Sequence, residues 1–533
     1  MPTDCISFQN SGYFSPLMND YLNQKLHLQS LYNRFPTLEN FEAQIIEKKI
    51  NFNGNGKAKR EVLVSVLEKQ YSKISTSDLT KQNIVALRNE NTLTVTTGHQ
   101  LNLFTGPLYF LYKIISTINL SKELKAKYPL QNLVPVYWMA TEDHDFEEIN
   151  YFNFNGRKFR WNTESSGPVG RLSTNGLADF FEVYAQELGS GKNAETIKKL
   201  FQESYLNHSN LAEATHYLAN ELFGEYGLVI LDADNQDLKR IFIPYIKEEL
   251  IHPSSHKLVL ETAEKLKDYT IQVNPREINL FYLEHDLRER IIFENGKYLV
   301  NNTKTAFSES EILELVENYP EKFSPNVIMR PLYQEVILPN LCYIGGGGEI
   351  AYWLELKSFF DAVNVTFPIL MLRNSAVFTT EKQAAKADKL GLSWRDLFSK
   401  QKDLVNTKTA QLSEFTIDFT PQKEQLRKQF ERLYEIANQT DKSFAGAVKA
   451  QEAKQIKGLE NLEKRLLKAQ KRKHSEELER ITDLQNELFP NQSLQERQAN
   501  FSEFYLENGG KLITTLIDQL KPLEDNFNII TLS

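Results

Sequence analysis

Residues 92–115 read TLTVTTGHQLNLFTGPLYFLYKII, and the fold can be worked out from this stretch. The β-branched run at residues 92–97 predicts a buried strand that ends at Gly98. A loop with a second glycine, Gly106, follows. Pro107 then opens an apolar helical segment, because a proline at the first helical position loses no hydrogen bond. Strand, loop and helix in this order are typical of a parallel α/β sheet.

Three further apolar runs predict strands of the same sheet. They occupy residues 133–140 (LVPVYWMA), 227–234 (GLVILDAD) and 365–374 (VTFPILMLRN). Their near-continuous apolar character is what a sheet covered on both faces requires. Pro368 indicates an edge or a bulge in the last of them. Helical patterns separate the strands, so we expect an open, mostly parallel α/β sheet.

Two stretches that interrupt this alternation predict insertions packed on the sheet. The second contains ERIIFENGKYLVNN, whose Asn295 and Gly296 are a strong signal for a two-residue hairpin turn. The last third of the chain is helical and rich in charge, which predicts a long helix in a helical hairpin or coiled coil. The predicted core comprises residues 1–151, 223–253 and 325–378, with insertions at 152–222 and 254–324, a helical domain at 379–500 and a returning segment at 501–533.

Composition excludes several classes of protein. The chain has 533 residues, with 62 Lys+Arg against 70 Asp+Glu, and this net charge of −8 weighs against a general nucleic-acid binder. The two cysteines, Cys5 and Cys342, exclude a disulfide scaffold and a multi-cysteine zinc site, and the apolar run around Cys342 predicts buried packing. The first residues carry no leader pattern, and the apolar stretch at residues 108–120 is too short to span a bilayer. We therefore expect a cytoplasmic protein with no membrane partner.

Ligands of open parallel sheets collect at the carboxyl ends of the strands, so the loops after the strands hold the candidate site residues. The first loop has small polar groups near a helix N-terminus, which suits a phosphate or carboxylate. An ordinary strand–helix turn would explain the same sequence. The candidates in this loop are Gly98, His99, Gln100, Asn102, Thr105 and Gly106.

The second loop, TEDHDFEE, crowds five carboxylates around one imidazole. Mutual repulsion is expected to raise the pKa of some of these carboxyls. Glu147 and Glu148 suit a helix N-terminus, where acidic side chains complement the helix dipole. The residues before them are candidates for binding a substrate ammonium, for general-base catalysis or for holding a divalent cation. These candidates are Glu142, Asp143, His144 and Asp145. After the third strand, Asp234 is expected to cap the next helix.

Four consecutive glycines at residues 345–348 separate an apolar strand from a helix, which suits either a ligand lying against the backbone or a flexible connector. Arg330 and Arg373 are candidate anion clamps, or else structural salt-bridge partners. The other candidates in these segments are Gly346, Gly347, Gly348, Glu349, Tyr352, Trp353 and Asn374. We expect the segments around Asn102, Asp145, Gly347 and Arg373 to line a single cleft.

Four motifs resemble the bacillithiol biosynthesis cysteine-adding enzymes: TTGHQLNLFTGPLYFLYK, PVYWMATEDHDFEEIN, SPNVIMRPLYQEVILPNLCYIGGGGEIAYW and FPILMLRNSA. The similarity continues into LFPNQSLQERQANFSEFYLENG. The resemblance implies a Rossmann-like core with connecting-peptide-like insertions, similar in plan to class I aminoacyl-tRNA synthetases, and a C-terminal coiled-coil domain that forms a homodimer. It also implies a ligase that joins L-cysteine to glucosaminyl malate through an amide bond, in the last step of bacillithiol synthesis, with an adenine nucleotide (ATP or ADP) as cofactor.

For this reaction, our own hypothesis assigns roles to the site residues. Asp143, His144 and Asp145 are expected to orient the amines and to take a proton, and Arg330 and Arg373 to bind carboxylates. No metal is expected. Two other functions remain open. One is another nucleotide-dependent amide-forming ligase or transferase that acts on a different amine. The other is a non-catalytic coiled-coil scaffold on a nucleotide-binding fold.

Overall fold

The computed structural model describes residues 4–53 and 56–532, so residues 1–3 of the N-terminal stretch considered above lie outside the described residues. The strands are β1 Asp4–Ser7, β2 Thr92–His99, β3 Asn132–Met139, β4 Tyr151–Phe154, β5 Arg157–Arg160, β6 Val229–Asp232, β7 Leu280–Glu284, β8 Leu287–Glu294, β9 Lys297–Val300, β10 Ala306–Phe307, β11 Phe323–Pro325, β12 Asn340–Gly345, β13 Ile369–Leu372, β14 Ser375–Thr380 and β15 Asn526–Leu532.

The α-helices are α1 Phe8–Ser11, α2 Pro16–Leu22, α3 Asn40–Asn53, α4 Gly56–Tyr71, α5 Asp78–Ala86, α6 Tyr109–Lys127, α7 Phe146–Ile149, α8 Leu177–Leu188, α9 Lys192–Phe201, α10 Leu211–Phe223, α11 Gln236–Ile251, α12 Ser254–Lys265, α13 Glu309–Asn318, α14 Met329–Ile337, α15 Gly347–Leu354, α16 Lys357–Ala362, α17 Glu381–Lys389, α18 Trp394–Phe398, α19 Gln401–Leu412, α20 Thr420–Ala437, α21 Lys442–Lys473, α22 Ser475–Leu488, α23 Gln495–Gln498, α24 Phe501–Asn508 and α25 Lys511–Gln519.

The central sheet is parallel and has the strand order β13-β12-β2-β3-β6. Its first strand in the chain, β2, lies in the middle. The chain adds β3 and β6 on one side of β2 and then β12 and β13 on the other. This is the strand order of a doubly wound, Rossmann-like sheet, in which the direction of winding reverses at one point. The order confirms the predicted fold class and locates the reversal, the switch point, between β2 and β12.

The four predicted strands of this sheet are all present, with altered ends. The first extends to His99, while the last is confined to Ile369–Leu372 and begins directly after Pro368. Proline has no backbone N–H for the ladder, which explains the late start. The helix predicted to open at Pro107 begins at Tyr109. Strand β2 is buried along its whole length, as the apolar pattern predicted.

The second predicted insertion contains an antiparallel sheet with the order β10-β9-β8-β7-β11. Asn295 and Gly296 connect β8 to β9 with φ angles of 52° and 74°, which confirms the predicted hairpin turn. Between α12 and β7, residues 266–279 contain neither helix nor strand. The smaller sheets are β4-β5 and β1-β15-β14.

The chain divides into two compact units: Phe378–Leu494 with Asn10–Gly12 in one, and the remaining described residues in the other. In the helical unit, α20 and α21 run antiparallel, since Lys423 pairs with Glu463 and the Tyr434 hydroxyl donates to Glu452. This confirms the predicted helical hairpin, although the long helix divides into α21 and α22 at His474. None of the helices in the described ranges is long and apolar enough to cross a membrane.

Candidate active site

A cavity of about 620 Å³ opens at the carboxyl ends of the central strands. Loops after β2, β3 and β6 contribute to it, helices α6 and α15 supply side chains at the switch point, and β7 and β8 complete its wall. Doubly wound sheets bind their ligands at this place. The predicted site residues that line the cavity are Gly98, His99, Gln100, Glu142, Asp143, His144, Asp145, Arg330, Glu349 and Tyr352.

Lys113 and Glu349 form an ion pair at the switch point. Lys113 Nζ lies 2.6 Å from Glu349 Oε2 and donates to the Gly98 carbonyl oxygen at 2.6 Å. Glu349 also accepts from the Tyr343 hydroxyl at 2.7 Å and from the Gly346 N–H at 2.8 Å. Burial lowers the pKa of Lys113. Burial also opposes ionisation of Glu349, but Lys113 and the hydrogen bonds outweigh it and hold the pKa of Glu349 below its ordinary value. The pair joins the end of β2 to the start of α15.

Arg330 adds a second cation at the same place. Its guanidinium donates to the Tyr352 hydroxyl at 2.5 Å. A Cβ at Gly98 would lie 3.4 Å from Arg330 Nη1 and 3.2 Å from the Tyr343 hydroxyl, so the glycine leaves room for the guanidinium beside the strand end. Burial opposes the charge of Arg330, but Tyr352, Tyr343 and Glu349 outweigh it and raise the pKa. This fixed positive charge suits a carboxylate or a phosphate.

The cluster Asp143–His144–Asp145 lies in the loop between β3 and α7. Arg288 of β8 donates to His144 Nδ1 at 2.6 Å. Because a guanidinium has only donors, Nδ1 accepts this bond and the ring proton lies on Nε2, which is 4.0 Å from Asp145 Oδ1. The guanidinium carbon of Arg288 lies 3.9 Å from the centroid of the Phe281 ring, which holds the arginine in place.

The pKa values of the two aspartates in this cluster are shifted in opposite directions. Burial works against ionisation of Asp143, but hydrogen bonds from His144 and Gln100 and the charge of Arg288 outweigh it and hold the pKa of Asp143 below its ordinary value. Gln100 Nε2 donates to Asp143 Oδ2 at 3.0 Å. Burial and repulsion from Asp143 raise the pKa of Asp145. Two neighbouring carboxyls whose pKa values are driven apart are suited to different roles in acid–base chemistry.

Asp143, His144 and Asp145 also have ligand atoms within 4.8 Å of one another, the arrangement that a metal ion requires. In this structure N–H groups of Gln100 and Arg288 already face Asp143 and His144. Such a cluster of acceptors with one partly exposed carboxylate can receive an ammonium group. The expectation that no metal takes part stays a prediction.

Glu142 and Asp234 share a buried cation. Lys239 Nζ lies 2.5 Å from Glu142 Oε1 and 3.4 Å from Asp234 Oδ1. Arg171 donates to both oxygens of Asp234, at 2.8 and 2.9 Å. The prediction that Asp234 caps the next helix is wrong. The Asn235 side chain accepts from the first N–H groups of α11 instead, and the charge of Asp234 is balanced by the two basic residues.

Arg373 and Asn374 do not line the cavity. The Arg373 guanidinium is buried, with Nη2 2.7 Å from Glu496 Oε1, and also donates to the Asn374 carbonyl at 2.8 Å. Of the two roles that the sequence left open for Arg373, this geometry matches the structural salt bridge. The Asn374 side chain bonds to the Ser116 hydroxyl and to the Lys521 carbonyl.

Other predicted residues lie around the cavity without lining it. Gly106 has a φ of 63°, and a Cβ there would lie 2.7 Å from Asn102 Cβ, so this tight loop requires glycine. A Cβ at Gly347 would lie 3.2 Å from Met18 Cγ. Of the four segments expected to share one cleft, three line the cavity, through Gln100 near Asn102, through Asp145 itself and through Glu349 near Gly347. The expectation is wrong for the segment around Arg373, which contributes no lining residue. Thr105, Gly346, Gly348 and Trp353 also lie outside the lining.

The cavity contains four basic residues that the sequence analysis missed as site residues: Lys113, Arg276, Arg288 and Arg290. Lys113 carried a signal, because it interrupts an otherwise apolar helical segment. The arginines carried none, since nothing local distinguishes them from surface arginines. They reach the cavity through the second insertion, where β7 pairs with β8 and Leu283 lies opposite Arg288.

Residues 1–374 match the family model "Bacillithiol biosynthesis BshC, N-terminal Rossmann-like domain", and residues 376–532 match "Bacillithiol biosynthesis BshC, C-terminal coiled-coil domain". The chain is 70% identical over 532 residues to a Flavobacterium johnsoniae protein named "Putative cysteine ligase BshC", with 100% of both chains covered. It is 66% identical to a protein of the same name from Flavobacterium psychrophilum, with 99% of both chains covered. A relative of that name from Bacillus thuringiensis is 28% identical, over 92% of this chain and 93% of the relative.

Among solved structures, the chain is similar to one titled as a putative arginyl-tRNA synthetase from Campylobacter jejuni. That similarity has 11% sequence identity and a TM-score of 0.21, and covers 84% of this chain and 95% of the other. A TM-score this low carries no argument about the fold, so the likeness in plan to class I synthetases stays a prediction.

Proposed function

The chain belongs to the bacillithiol biosynthesis BshC family, and from that premise we propose that it is a ligase that joins the carboxyl group of L-cysteine to the amine of glucosaminyl malate. The product of this amide bond is bacillithiol. We propose the cytoplasm as its location, because a biosynthetic enzyme that handles a free thiol needs a compartment where thiols stay reduced.

One observation carries the proposal, namely that a single cavity combines an acidic cluster with fixed cations. The substrates require both, because L-cysteine and glucosaminyl malate each bring an amine and at least one carboxylate. Asp143 and Asp145 suit the amine, and Arg330 suits a carboxylate. A scaffold that had lost catalysis would have no need to keep charged groups at the inner end of such a cavity, where burial makes them costly.

We propose separate roles for the two aspartates. The carboxylate of Asp143, whose pKa is held low, binds the incoming ammonium and orients it. Asp145, whose pKa is raised, takes one proton from the ammonium, which frees the nitrogen lone pair for attack. The second proton leaves to solvent as the carbon–nitrogen bond forms. The ring of His144, held by Arg288, presents an N–H beside Asp145. In the same step the bond between the cysteine carbonyl carbon and its activated oxygen breaks, and that oxygen leaves with its electron pair.

An adenine nucleotide is the proposed source of that activation, since forming an amide from a free carboxylate in water is uphill. The nucleotide's chemistry would convert the cysteine carboxylate into an adenylate or an acyl phosphate. The donors present fit an anionic group, because Arg330 and Lys113 bring two cations to the switch point and Glu349 balances only one of them. Carboxylate or phosphate oxygens are the acceptors that such donors prefer.

The test is a reconstitution with purified protein, L-cysteine, glucosaminyl malate and ATP. We expect bacillithiol by mass spectrometry, together with AMP or ADP, and the nucleotide product identifies the activated intermediate. Product from another amine but none from glucosaminyl malate would support a different amide-forming ligase. No product under any nucleotide condition would contradict the ligase and favour the scaffold.

A matched pair of variants tests the proposed base. Asp145→Asn removes the proton acceptor and should lower kcat about 10²–10⁴-fold. Asp286→Asn makes the same change in a well-exposed aspartate outside the cavity lining, and should leave kcat unchanged. Equal activity of the two variants would rule out Asp145 as the base.

We also propose that the chain forms a homodimer through the hairpin α20–α21. Leu433, Ile436, Phe444 and Leu462 of this hairpin are 40–53% exposed, an apolar surface that a second copy would cover. Light scattering should then give about twice the 61.7 kDa mass of one chain, and Ile436→Glu should shift it towards the monomer. Particles of one chain's mass at all concentrations would contradict the dimer.

A further inference from the structure

The segment at residues 266–279, here called the strap, crosses from α12 to β7 without regular secondary structure and contributes Asn274 and Arg276 to the cavity wall. Long loops without helix or strand in compact domains are commonly functional or disordered. This one alternates in burial, since Val273 and Ile278 are buried while Asn274 and Arg276 are exposed on the cavity side. The alternation indicates an ordered segment.

One buried carboxyl group holds the middle of the strap and another holds its C-terminal end. Glu355, at the C-terminal end of α15, is 1% exposed and accepts from the Gln272 N–H at 2.9 Å. Glu249 of α11 is 2% exposed and accepts from the Asn279 N–H at 2.8 Å and from its side-chain amide at 3.1 Å. Buried carboxyl groups are costly, so two of them bonded to one loop indicate that its position matters.

The side chain of Asn279 also forms a hydrogen bond to the backbone of Arg276. Asn279 Oδ1 accepts from the Arg276 N–H at 3.0 Å and from the Asn326 side-chain amide at 2.9 Å. Asn326 Oδ1 accepts from the N–H groups of Ile328 and Met329, at the start of the helix that carries Arg330. One hydrogen-bonded chain thus positions the backbone of Arg276 relative to the helix of Arg330.

The Arg276 side chain itself has no charged partner. Among the described residues it makes neither an ion pair nor a side-chain hydrogen bond, and the same is true of Arg290, the other cation on this part of the wall. Three of the four acidic residues that line the cavity are already engaged: Glu142 with Lys239, Glu349 with Lys113, and Asp143 with Gln100. The fourth, Asp145, lies beside His144 in the loop after β3 and not on the part of the wall formed by the strap and β8. The charge left for a ligand on this part of the wall is therefore positive.

We propose that the strap holds Arg276 at the cavity as a binding residue for a carboxylate-bearing part of the substrate, and that Glu249 and Glu355 are its positioning residues. The proposal rests on the proposed function for the identity of the substrate, since the malate part of glucosaminyl malate carries two carboxylates. A guanidinium binds such a group through two parallel hydrogen bonds, which requires a fixed direction of approach. The hydrogen bonds from Gln272 to Glu355 and from Asn279 to Glu249 fix that direction, because they hold the backbone on both sides of Arg276.

Steady-state kinetics of Arg276→Ala test the binding role. The variant should raise KM for glucosaminyl malate by about 10–100-fold through loss of a charged hydrogen bond, and leave KM for cysteine within about twofold. Lys267→Ala removes the same charge from an exposed position of the strap outside the cavity, and both KM values should stay at the wild-type level. An unchanged KM for glucosaminyl malate, or an equal rise in both KM values, would overturn the proposal.

Two variants of Glu355 test its positioning role. Glu355→Gln keeps an oxygen that can accept from the Gln272 N–H, and should retain KM near the wild-type value. Glu355→Ala leaves that N–H without its partner, and should raise KM for glucosaminyl malate selectively. Hydrogen exchange should increase within residues 270–279 of Glu355→Ala and not elsewhere. Identical kinetics of the two variants, or a general increase in exchange, would refute a positioning role.

Binding of L-malate, measured by calorimetry, separates this proposal from the proposed function. If the wild type forms no bacillithiol but binds L-malate, and Arg276→Ala abolishes that binding, the proposed role of Arg276 is supported and the proposed ligase reaction is contradicted. If bacillithiol forms and Arg276→Ala binds L-malate and glucosaminyl malate as the wild type does, the ligase stands and the strap proposal fails.

Discussion

Replacing Lys48 with methionine should destabilise the protein strongly, because it leaves Glu335 buried without its cation. Lys48 Nζ lies 2.7 Å from Glu335 Oε2, with side-chain exposures of 2% and 0%. Glu335 Oε1 also accepts from the Asn340 side-chain amide at 2.7 Å, and Asn340 Oδ1 accepts from the Thr96 hydroxyl at 2.9 Å. The pair thus joins α3 to α14 and supports the register of β12 on β2.

The size of the effect follows from this geometry. At 2.7 Å and an effective dielectric constant of about 20, two unit charges attract by about 6 kcal/mol. Burial of both charges offsets much of this, and the measurable quantity is the cost of removing one partner, about 3–5 kcal/mol. The double variant Lys48→Met/Glu335→Gln removes both charges and keeps an oxygen for Asn340, so it should recover most of the loss.

The effect should depend on pH. Burial raises the pKa of Glu335 above its ordinary 4.5, while Lys48 opposes that rise. Without Lys48 the pKa rises further, so the deficit is full above the folded pKa and shrinks as pH falls through it, when the carboxyl takes a proton. Urea unfolding of the wild type and of Lys48→Met, followed by circular dichroism at about pH 8 and pH 5.5, measures the loss of stability at each pH. Wild-type stability of Lys48→Met at pH 8, or an equal deficit at both pH values, would refute this reasoning.

Three other substitutions or modifications give further checks. Burial raises the pKa of Asp232 from its ordinary 3.8 to about 7, so this carboxyl lowers stability as pH rises from about 4 to about 7 and no further above that; Asp232→Asn should flatten urea stability between about pH 5 and 7, and an unchanged slope would contradict this. Gly98→Val places a side chain whose Cβ lies 3.2 Å from the Tyr343 hydroxyl, and should raise KM for a carboxylate substrate about tenfold, whereas wild-type KM would mean that ligands bind elsewhere. Ellman's reagent should modify exposed Cys5 in the native protein and reach buried Cys342, whose pKa burial raises, only in denaturant; two rapidly reacting thiols would contradict that burial.

The fold could be predicted from sequence where local chemistry decides it. Continuous β-branched and apolar runs give the central strands, and the Asn295 and Gly296 pair gives the hairpin, because a turn with two positive φ angles has few other solutions. The ends of the elements were less predictable. Asn235 and Asp234 are equally good caps by type, and only the positions of Arg171 and Lys239 decide between them.

The site was predictable in part for the same reason. The acidic loop at residues 142–145 is conspicuous because three carboxylates and an imidazole directly follow an apolar strand. Arg288 and Arg276 are inconspicuous in sequence, and their role depends on a hairpin and a strap that fold back from the second insertion. Arg373 has the chemistry of an anion clamp, but Glu496, far away in the chain, already binds it. Partner choice of this kind depends on tertiary packing and leaves no local mark.

The bond from Arg288 to His144 means that the border between core and insertion passes through the cluster of Asp143, His144 and Asp145. The loop after β3 and strand β8 each supply only part of this hydrogen-bonded cluster. Neither segment could therefore be exchanged or deleted as an independent module without disrupting the other. A change at position 144 alters what position 288 must do, and the reverse holds as well. The two positions should therefore co-vary across relatives, although His144 lies in a loop after the central sheet and Arg288 lies in a strand of the second insertion.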